Sequence, residues 1–362
     1  MSIEGTVVNF KALLFIPQKA PFDLYRNPNF FKGLHLYSNK ILIQRECKDV
    51  IPEYMGFLRG VVDTIDLPLN VSREVTQSSP LMIKIKNAIV KKVFSYLTEM
   101  AAKEPEKYVQ FYKNFGRLLE AGINSDFENR DKIIELLRYE SSMKKPDELV
   151  SLEEYVSRMS EDQKEIYYFS GESRDGLESS PNLEYLKKNE IEVILLTDPI
   201  DIFTFPSLVE YKNKKIKSID KADIDLKAED SIEKPDDSLS QSLLSVFKEA
   251  LGDRVKDVVS SKRLVDSPVT LVASQDSLNP HMERMMQMMN KQETLSKKIM
   301  EVNTEHPLIR NLSKRYLANS NDPFIRTCIE QLYEGALIME GTIASPADFV
   351  KRMNTIIEEA TR

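Results

Sequence analysis

The chain contains 362 residues, of which 41% are hydrophobic and 30% are charged, and its 50 basic and 57 acidic side chains leave a net charge of -7. Because a single core rarely grows beyond about 250–300 residues, this length predicts two or three separate cores. The negative balance disfavours binding to nucleic acid phosphates. The sequence shows neither a membrane-spanning run of about 18 apolar residues nor a signal peptide, so we expect a cytoplasmic protein with no membrane partner.

Cysteine and histidine are too sparse and too scattered for a metal or redox motif. Cys47 and Cys328 have no CxxC neighbour, so we expect two free thiols in a reducing compartment. His35, His281 and His306 lie in separate regions and lack the spacing of zinc ligands. The sequence therefore predicts no metal site.

The first 45 residues predict a β-sheet. Residues 7–16 are rich in β-forming side chains, and residues 34–44 alternate around a hairpin turn at Ser38-Asn39-Lys40. Apolar residues then recur at three- and four-residue steps, which predicts a covering helix over 51–62. The helical pattern continues in three further stretches, over residues 82–102, 105–119 and 130–139.

A second, smaller α/β core is predicted further along the chain. Residues 166–196 alternate as strand, helix and strand, the order of a βαβ unit. The turn at residues 170–173 superficially resembles a phosphate-binding loop. It lacks the glycine pattern of such loops, however, and Glu172 would repel an anion, so nucleotide binding is not predicted there.

A polar stretch over residues 211–241 predicts a surface segment, with a domain boundary near residue 235. The last two helices, 323–338 and 346–359, are amphipathic and joined by a short turn, so they can pair with a second copy. Between the boundary and these helices, we predict a helix over 242–251, β-prone runs over 255–264 and 269–273, and further helices.

The segment Asp66-Leu67-Pro68-Leu69-Asn70-Val71-Ser72-Arg73-Glu74 is a stiff polar loop placed before the long helix. An arginine in such a loop can hold a phosphate through two hydrogen bonds. The residues alone favour a simpler alternative, in which Ser72 caps the helix and Arg73 pairs with a carboxylate. The basic cluster that follows is interpreted as a solvated helix face, and it comprises Lys84, Lys86, Lys91 and Lys92.

A methionine cluster is the other conspicuous feature. Met282, Met285, Met286 and Met289 follow one face of a helix. Because methionine is flexible and polarizable, an exposed stripe adapts to many apolar partners, whereas a buried one fills a core. The residues alone favour the core.

Several motifs strongly resemble the heat shock protein 90 chaperone family, in its bacterial, HtpG-like branch. The most specific match is GVVDTIDLPLNVSRE, with FKALLFIP and APFDLY before it and ELLRYESS after it. The resemblance then continues through nearly the whole chain in SLEEYVSRM, IYYFSGES, EVILLTDPID, LGDRVKDV and KRMN.

The resemblance implies an α/β (α+β) fold made of two α/β sandwich modules joined by a helical connector. A mixed α/β C-terminal domain follows and ends in a dimerising helical pair. The middle domain would cover residues 1–230 and the C-terminal dimerisation domain residues 235–362. Within the middle domain, the larger module would span 1–102, the connector 103–140 and the smaller module 141–230.

The resemblance also implies an ATP-dependent chaperone. ATP and magnesium would bind an N-terminal domain that this chain lacks, so the fragment alone is expected to be inactive as an ATPase. Arg73 would contact the γ-phosphate and support hydrolysis, with Asn70 and Gln77 helping to place it. Leu42 matches an apolar position that supports this loop in relatives.

By the same resemblance, the protein would be a homodimer that binds unfolded or partly folded clients. The methionine stripe would touch these clients, as would Phe203 and Phe205. The end of the sequence, IIEEATR, lacks the MEEVD tail of eukaryotic cytosolic members, which favours a bacterial cytoplasmic origin. Two alternatives stay open: an ATP-independent holdase or scaffold dimer, and a DNA-processing relative of the same ATPase superfamily, which the negative charge disfavours.

Overall fold

The computed structural model divides the chain into two compact units. One comprises Met1–Tyr139 with Leu149–Arg158, and the other Glu140–Glu148 with Met159–Arg362. The boundary predicted near residue 235 lies outside the described residues, and of residues 237–241 only the backbone is described. The structure describes residues 2–4, 8–22, 24, 33–67, 80–222, 237–274, 277, 283, 296–342 and 345–361.

The first unit contains a mixed sheet with one buried face. In its described part the strand order is β1-β2-β5-β3-β4, with β3 and β5 parallel and the other pairs antiparallel. Phe10, Ala12 and Leu14 alternate with exposed residues along β2, so one face of the sheet packs on the core. The strands are β1 (Ser2–Glu4), β2 (Phe10–Phe15), β3 (Leu34–Ser38), β4 (Ile41–Cys47) and β5 (Arg59–Thr64).

The hairpin turn predicted around residues 38–40 is confirmed. Asn39 and Lys40 connect β3 to β4 with φ angles of 49° and 67°. Two consecutive left-handed residues give a turn whose twist matches that of the flanking strands. The predicted turn therefore sets the antiparallel pairing of β3 with β4.

The helix predicted over residues 51–62 is wrong. A short 3-10 turn, Glu53–Met55, is followed by strand β5, which lies in the middle of the sheet. Gly60 has a φ of 145°, and a Cβ there would lie 2.1 Å from the Leu13 carbonyl oxygen, so the strands meet closely at this glycine. The helix-like apolar spacing arises because all four of the spaced residues are buried, although they lie in a tight turn and a strand. These residues are Ile51, Met55, Leu58 and Val62.

The three helical stretches predicted after this sheet are confirmed as α1 (Pro80–Lys103), α2 (Pro105–Ala121) and α3 (Arg130–Leu136). The aromatic ring of Phe57 packs against Phe111 of α2, with ring centroids 5.2 Å apart. This contact ties α2 to the segment that leads into β5. Helix α4 (Leu152–Arg158) completes the unit.

The second unit begins with a smaller sheet, ordered β6-β8-β7-β10-β9 in its described part. The predicted βαβ unit is confirmed, because β7 and β8 are parallel and joined through helices. The strands are β6 (Glu140–Ser141), β7 (Glu165–Ser170), β8 (Val193–Leu196), β9 (Glu210–Tyr211) and β10 (Lys214–Ser218). The helices are α5 (Arg174–Glu178), α6 (Glu184–Lys188) and α7 (Pro199–Thr204).

Strand β10 was not predicted, because its lysines resemble a polar surface segment. It pairs in parallel with β7, and Lys217 forms an ion pair of 3.0 Å with Glu165. Lys212 and Asn213 form its hairpin with β9, with φ angles of 48° and 62°. The strand is held by its backbone ladder, which the sequence pattern does not reveal.

The rest of the second unit is a small sheet covered by helices. Its described strands are β11 (Asp257–Ser260), β12 (Val269–Val272) and β13 (Ile299–Val302), in the order β11-β13-β12. The predicted helix over 242–251 is confirmed within α8 (Asp237–Leu251). The later helices are α9 (Pro307–Ala318), α10 (Pro323–Met339) and α11 (Pro346–Ala360), and the last two confirm the predicted terminal pair.

The expectation that residues after 273 are helical to the end is wrong, since β13 is the central strand of this sheet. Strand β13 is only four residues long and contains Glu301. This charged residue interrupts the apolar run that predicts a buried strand, although only 6% of it is exposed. None of the described helices has the length and apolar character needed to cross a membrane.

The close approach at Gly60 provides a test of the first sheet. We expect Gly60→Ala to lower the free energy of unfolding by roughly 1–3 kcal/mol, because the new methyl group meets the backbone of β2. Gly335→Ala is the matched control: it lies inside α10 with nothing within 4 Å of its Cβ position, so it should raise stability by about 0.5–1 kcal/mol. Chemical denaturation measures both, and equal effects would contradict the assignment of the Gly60 contact.

Candidate functional site

The predicted arginine loop leaves the first sheet at a point that is fixed by hydrogen bonds. The Thr64 hydroxyl donates to the Asn9 carbonyl at 2.9 Å, and the Asn9 amide donates to the Asp66 carboxylate at 2.8 Å. The Ser38 hydroxyl donates to the Leu67 carbonyl at 3.4 Å. These bonds hold the start of the loop against the ends of β3 and β5.

Asn70, Arg73 and Gln77 lie within residues 68–79, outside the described residues. Their predicted roles therefore stay predictions. The chain returns at Pro80, the first residue of α1, whose Met82 and Ile85 are buried. Both ends of the segment thus join rigid elements, the arrangement in which loops most often carry function.

Two other predictions concern the surroundings of this loop. Leu42 lies on β4, opposite Tyr37, and 37% of it is exposed. Its support of the loop stays a prediction, since the loop lies beyond the described residues. Of the basic cluster on α1, Lys84, Lys91 and Lys92 are exposed, as expected of a solvated helix face, whereas Lys86 is half-buried.

Helix α7 presents one of the two phenylalanines predicted to contact clients. A capping box fixes its start. The Asp198 side chain accepts a hydrogen bond from the Asp201 backbone amide, and the Asp201 side chain accepts one from the Asp198 backbone amide. Phe203 is 45% exposed on this helix. Phe205 is fully buried, with its ring centroid 4.9 Å from that of Tyr168, so it is a core residue that supports α7. The apolar surface predicted here is therefore offered by Phe203.

The predicted methionine stripe lies outside the described residues. Met282, Met285, Met286 and Met289 all fall there, so their contact with clients stays a prediction. Within this stretch Glu283 is described, and its backbone is helical.

Helix α11 exposes an apolar stripe. Val350, Met353 and Ile357 are 47%, 38% and 52% exposed, and α11 has no buried residue. Their spacing of three and four residues places them on one helix face. Arg352 forms an ion pair of 3.0 Å with Glu334 of α10, so the helix is held in place while the stripe stays open.

A cleft of about 290 Å³ lies at the carboxyl ends of β7 and β10. The end of α10 and the turn after it, residues 338–341, line its other side. Its lining includes Glu172 and Asp220, and burial raises the pKa of the Asp220 carboxyl despite a hydrogen bond from Ser218. The acidic Glu172 in this lining disfavours a phosphate. The sequence gives no local signal for Asp220, because this residue lies in a lysine-rich stretch.

Both cysteines are free thiols, as the sequence predicted. Burial raises the pKa of Cys47, and it raises that of Cys328 to about 11, so both stay protonated and weakly nucleophilic near neutral pH. Among the residues that the structure describes, no cluster of three His, Cys, Asp or Glu side chains could hold a metal ion.

Comparison with known proteins decides the family. The model of the Hsp90 protein family matches residues 1–362, the whole chain. The chain belongs to the Hsp90 family. This result confirms the resemblance inferred from the NVSRE loop and the accompanying motifs, and it agrees with the mixed α/β fold.

The curated relatives of this Hsp90 chain include bacterial proteins named Chaperone protein HtpG. The chain is 52% identical over 365 residues to the protein of Chlorobium phaeovibrioides, a match that covers 100% of this chain and 58% of the relative. It is 51% identical over 371 residues to that of Chlorobaculum tepidum, with the same coverage. The protein of Geobacter sulfurreducens is 41% identical over 357 residues, covering 97% of this chain and 55% of the relative. The chain thus spans somewhat more than half the length of these relatives.

The different burial of the two phenylalanines yields a stability test. We expect Phe205→Ala to lower the free energy of unfolding by about 3 kcal/mol or more, because it opens a cavity against Tyr168. Phe203→Ala should change it by less than about 1 kcal/mol, because half of this side chain already meets water. Denaturation curves of both variants give the comparison, and a larger loss for Phe203→Ala would contradict the arrangement of α7.

Proposed function

We propose that the chain forms the middle and C-terminal parts of a molecular chaperone that binds unfolded or partly folded proteins in the bacterial cytoplasm. The observation that carries this proposal is the match over the whole chain, at 52% identity, to a protein named Chaperone protein HtpG. The exposed apolar side chains support it. Phe203, held by a capped helix, offers a small apolar surface of the kind that unfolded chains bind.

Homodimerisation through the C-terminal helices is the second part of the proposal. The stripe of Val350, Met353 and Ile357 faces solvent in the single chain, although apolar side chains are stabilised by burial. Two copies of α11 packed through this stripe would bury it on both sides. The ion pair between Arg352 and Glu334 lies on another face and would remain intact.

Solution mass tests the dimer. We expect the chain to be a dimer at micromolar concentration by light scattering, and the double variant Val350→Asp/Ile357→Asp to be a monomer, because it places charge inside the apolar contact. Thr355→Asp is the matched control: it adds charge to an exposed position on the opposite face of α11 and should leave a dimer. A monomeric parent chain, or a dimeric double variant, would contradict the proposed interface.

ATP dependence is the third part. The chain covers 58% of the length of one such relative, and we propose that the remainder of the whole protein includes an N-terminal domain that binds ATP and magnesium. Arg73 would then reach the γ-phosphate from its loop and stabilise the charge that develops during hydrolysis, with Asn70 and Gln77 placing it. The fixed exit of the loop at Asp66, and its return into α1 at Pro80, support such a positioned arginine.

The arginine is tested with the chain joined to the N-terminal domain of an HtpG relative. We expect Arg73→Ala to lower ATP turnover roughly tenfold or more while ATP affinity changes little, because such an arginine acts mainly on the transition state. Lys84→Ala, on the exposed face of α1, is the control and should retain turnover. Unchanged turnover in Arg73→Ala would contradict the assignment. Client protection that is equally strong without ATP would favour the alternative of an ATP-independent holdase.

A further inference from the structure

Two parts of the second unit meet at a line of polar contacts, which we call the seam. On one side lie residues 140–222, with the smaller sheet, and on the other residues 237–361, with the helices of the proposed dimer. Across the seam, the Ala273 amide donates to the Asp220 carbonyl at 2.8 Å, and the Ala222 amide donates to the Ala273 carbonyl at 3.1 Å. A short backbone ladder therefore joins the two parts.

Arg263 is the most deeply buried charge at the seam, with 3% of the residue exposed. Its Nε lies 3.0 and 3.1 Å from the two carboxylate oxygens of Glu301 on β13. Its Nη2 donates to the Lys221 carbonyl at 2.7 Å, and its Nη1 donates to the Ile219 carbonyl. One planar guanidinium thus binds a carboxylate on its own side of the seam and two carbonyls on the other.

Glu184 makes a reciprocal set of contacts from the smaller module. Its carboxylate accepts hydrogen bonds from the backbone amides of Val265, Asp266 and Ser267 at 2.7, 2.9 and 3.2 Å, and from the Ser267 hydroxyl. Burial alone would raise the pKa of Glu184, but these hydrogen bonds outweigh burial and hold the pKa below its usual value. The charged carboxylate is therefore the form that holds the 265–267 loop.

The apolar cores on the two sides of the seam are separate. One cluster of buried residues gathers around Leu183 and Val193 in the smaller module, and another around Phe247 and Met300 beyond the seam. No residue belongs to both clusters in the part of the chain that the structure describes. The seam is therefore held mainly by directional hydrogen bonds, which are either made or broken, and not by a continuous apolar core.

We propose that Arg263 and Glu184 form a latch that joins residues 140–222 and 237–361 into one rigid lever. A movement of residues 140–222 would then move α10 and α11 with them. Breaking the contacts of the latch would let the two parts move independently while each stays folded. This inference goes beyond the proposed chaperone function. Its test uses the 362-residue chain alone, so its outcome does not depend on ATP, clients or the oligomeric state.

Hydrogen exchange of the backbone amides provides the test. In Arg263→Met we expect the seam amides of residues 222, 265–267 and 273 to exchange at least about a hundredfold faster, as for a buried ion pair that loses one partner. The amides of the β7 and β8 ladder should keep their protection. Arg174→Met is the matched control, because Arg174 is also largely buried but pairs with Glu140 and Glu178 inside the smaller module. It should leave the seam amides protected.

A double variant separates the latch from simple charge neutralisation. Arg263→Met/Glu301→Leu removes the unpaired carboxylate that the single variant leaves in the core. If Arg263 acts as a latch, the seam amides remain fast in the double variant, because the carbonyls of Ile219 and Lys221 still lack their donor. Recovery of their protection to the parent level would overturn the proposal.

Glu184→Gln gives a milder probe that retains the shape of the side chain. We expect faster exchange at residues 265–267, because a neutral amide oxygen is a weaker acceptor than a carboxylate, with the β11 and β13 ladder unchanged. Protection at 265–267 equal to that of the parent chain would overturn the role of Glu184. Uniformly faster exchange in all ladders, in this variant and in Arg263→Met, would show general destabilisation and would overturn the latch as well.

Discussion

A guanidinium that is taken out of water needs a partner for each of its donors, and this requirement organises the second unit around Arg263. The Glu301 carboxylate supplies one pair of acceptors, and the carbonyls of Ile219 and Lys221 supply the others. These acceptors come from Glu301, a buried acidic residue on the central strand β13, and from the backbone of the chain after β10. One buried charge thus contacts both β13 and the chain that follows β10.

The surfaces proposed to bind other proteins share a design. In α7, capping carboxylates and the buried Phe205 hold a short helix from which Phe203 projects. In α11, ion pairs on one face hold a helix whose other face is apolar and open. In both places other contacts of the chain hold the helix in position, and the named apolar side chains remain exposed. The proposed chaperone function would use such surfaces, because unfolded proteins offer apolar groups that are ordinarily buried.

Sequence patterns identified the elements whose signals are local. The turn at Asn39 and Lys40, the long helices α1 and α2, and the βαβ unit each carry their own signature in turn chemistry or periodicity. The missed elements have signals that depend on distant partners. Strand β5 has helical apolar spacing but lies in a sheet, where Gly60 lets it approach β2 closely. Strand β10 carries a lysine that pairs with Glu165 of β7, and β13 carries Glu301, which pairs with Arg263 in the segment between β11 and β12.

The amino-acid sequence by itself determined the family and the amphipathic terminal helices, because the signal for each lies in consecutive residues. The arginine loop remains a prediction of the same kind. Only the tertiary structure decided that Phe205 is buried while Phe203 is exposed, because Phe205 lies in the 3-10 turn after α7 and packs against Tyr168, whereas Phe203 lies on an open part of α7. It also decided that Glu184 holds the 265–267 loop and that Arg263 reaches across the seam. Hydrogen bonds between residues about 40 to 80 positions apart depend on how the chain packs, and no local pattern records them.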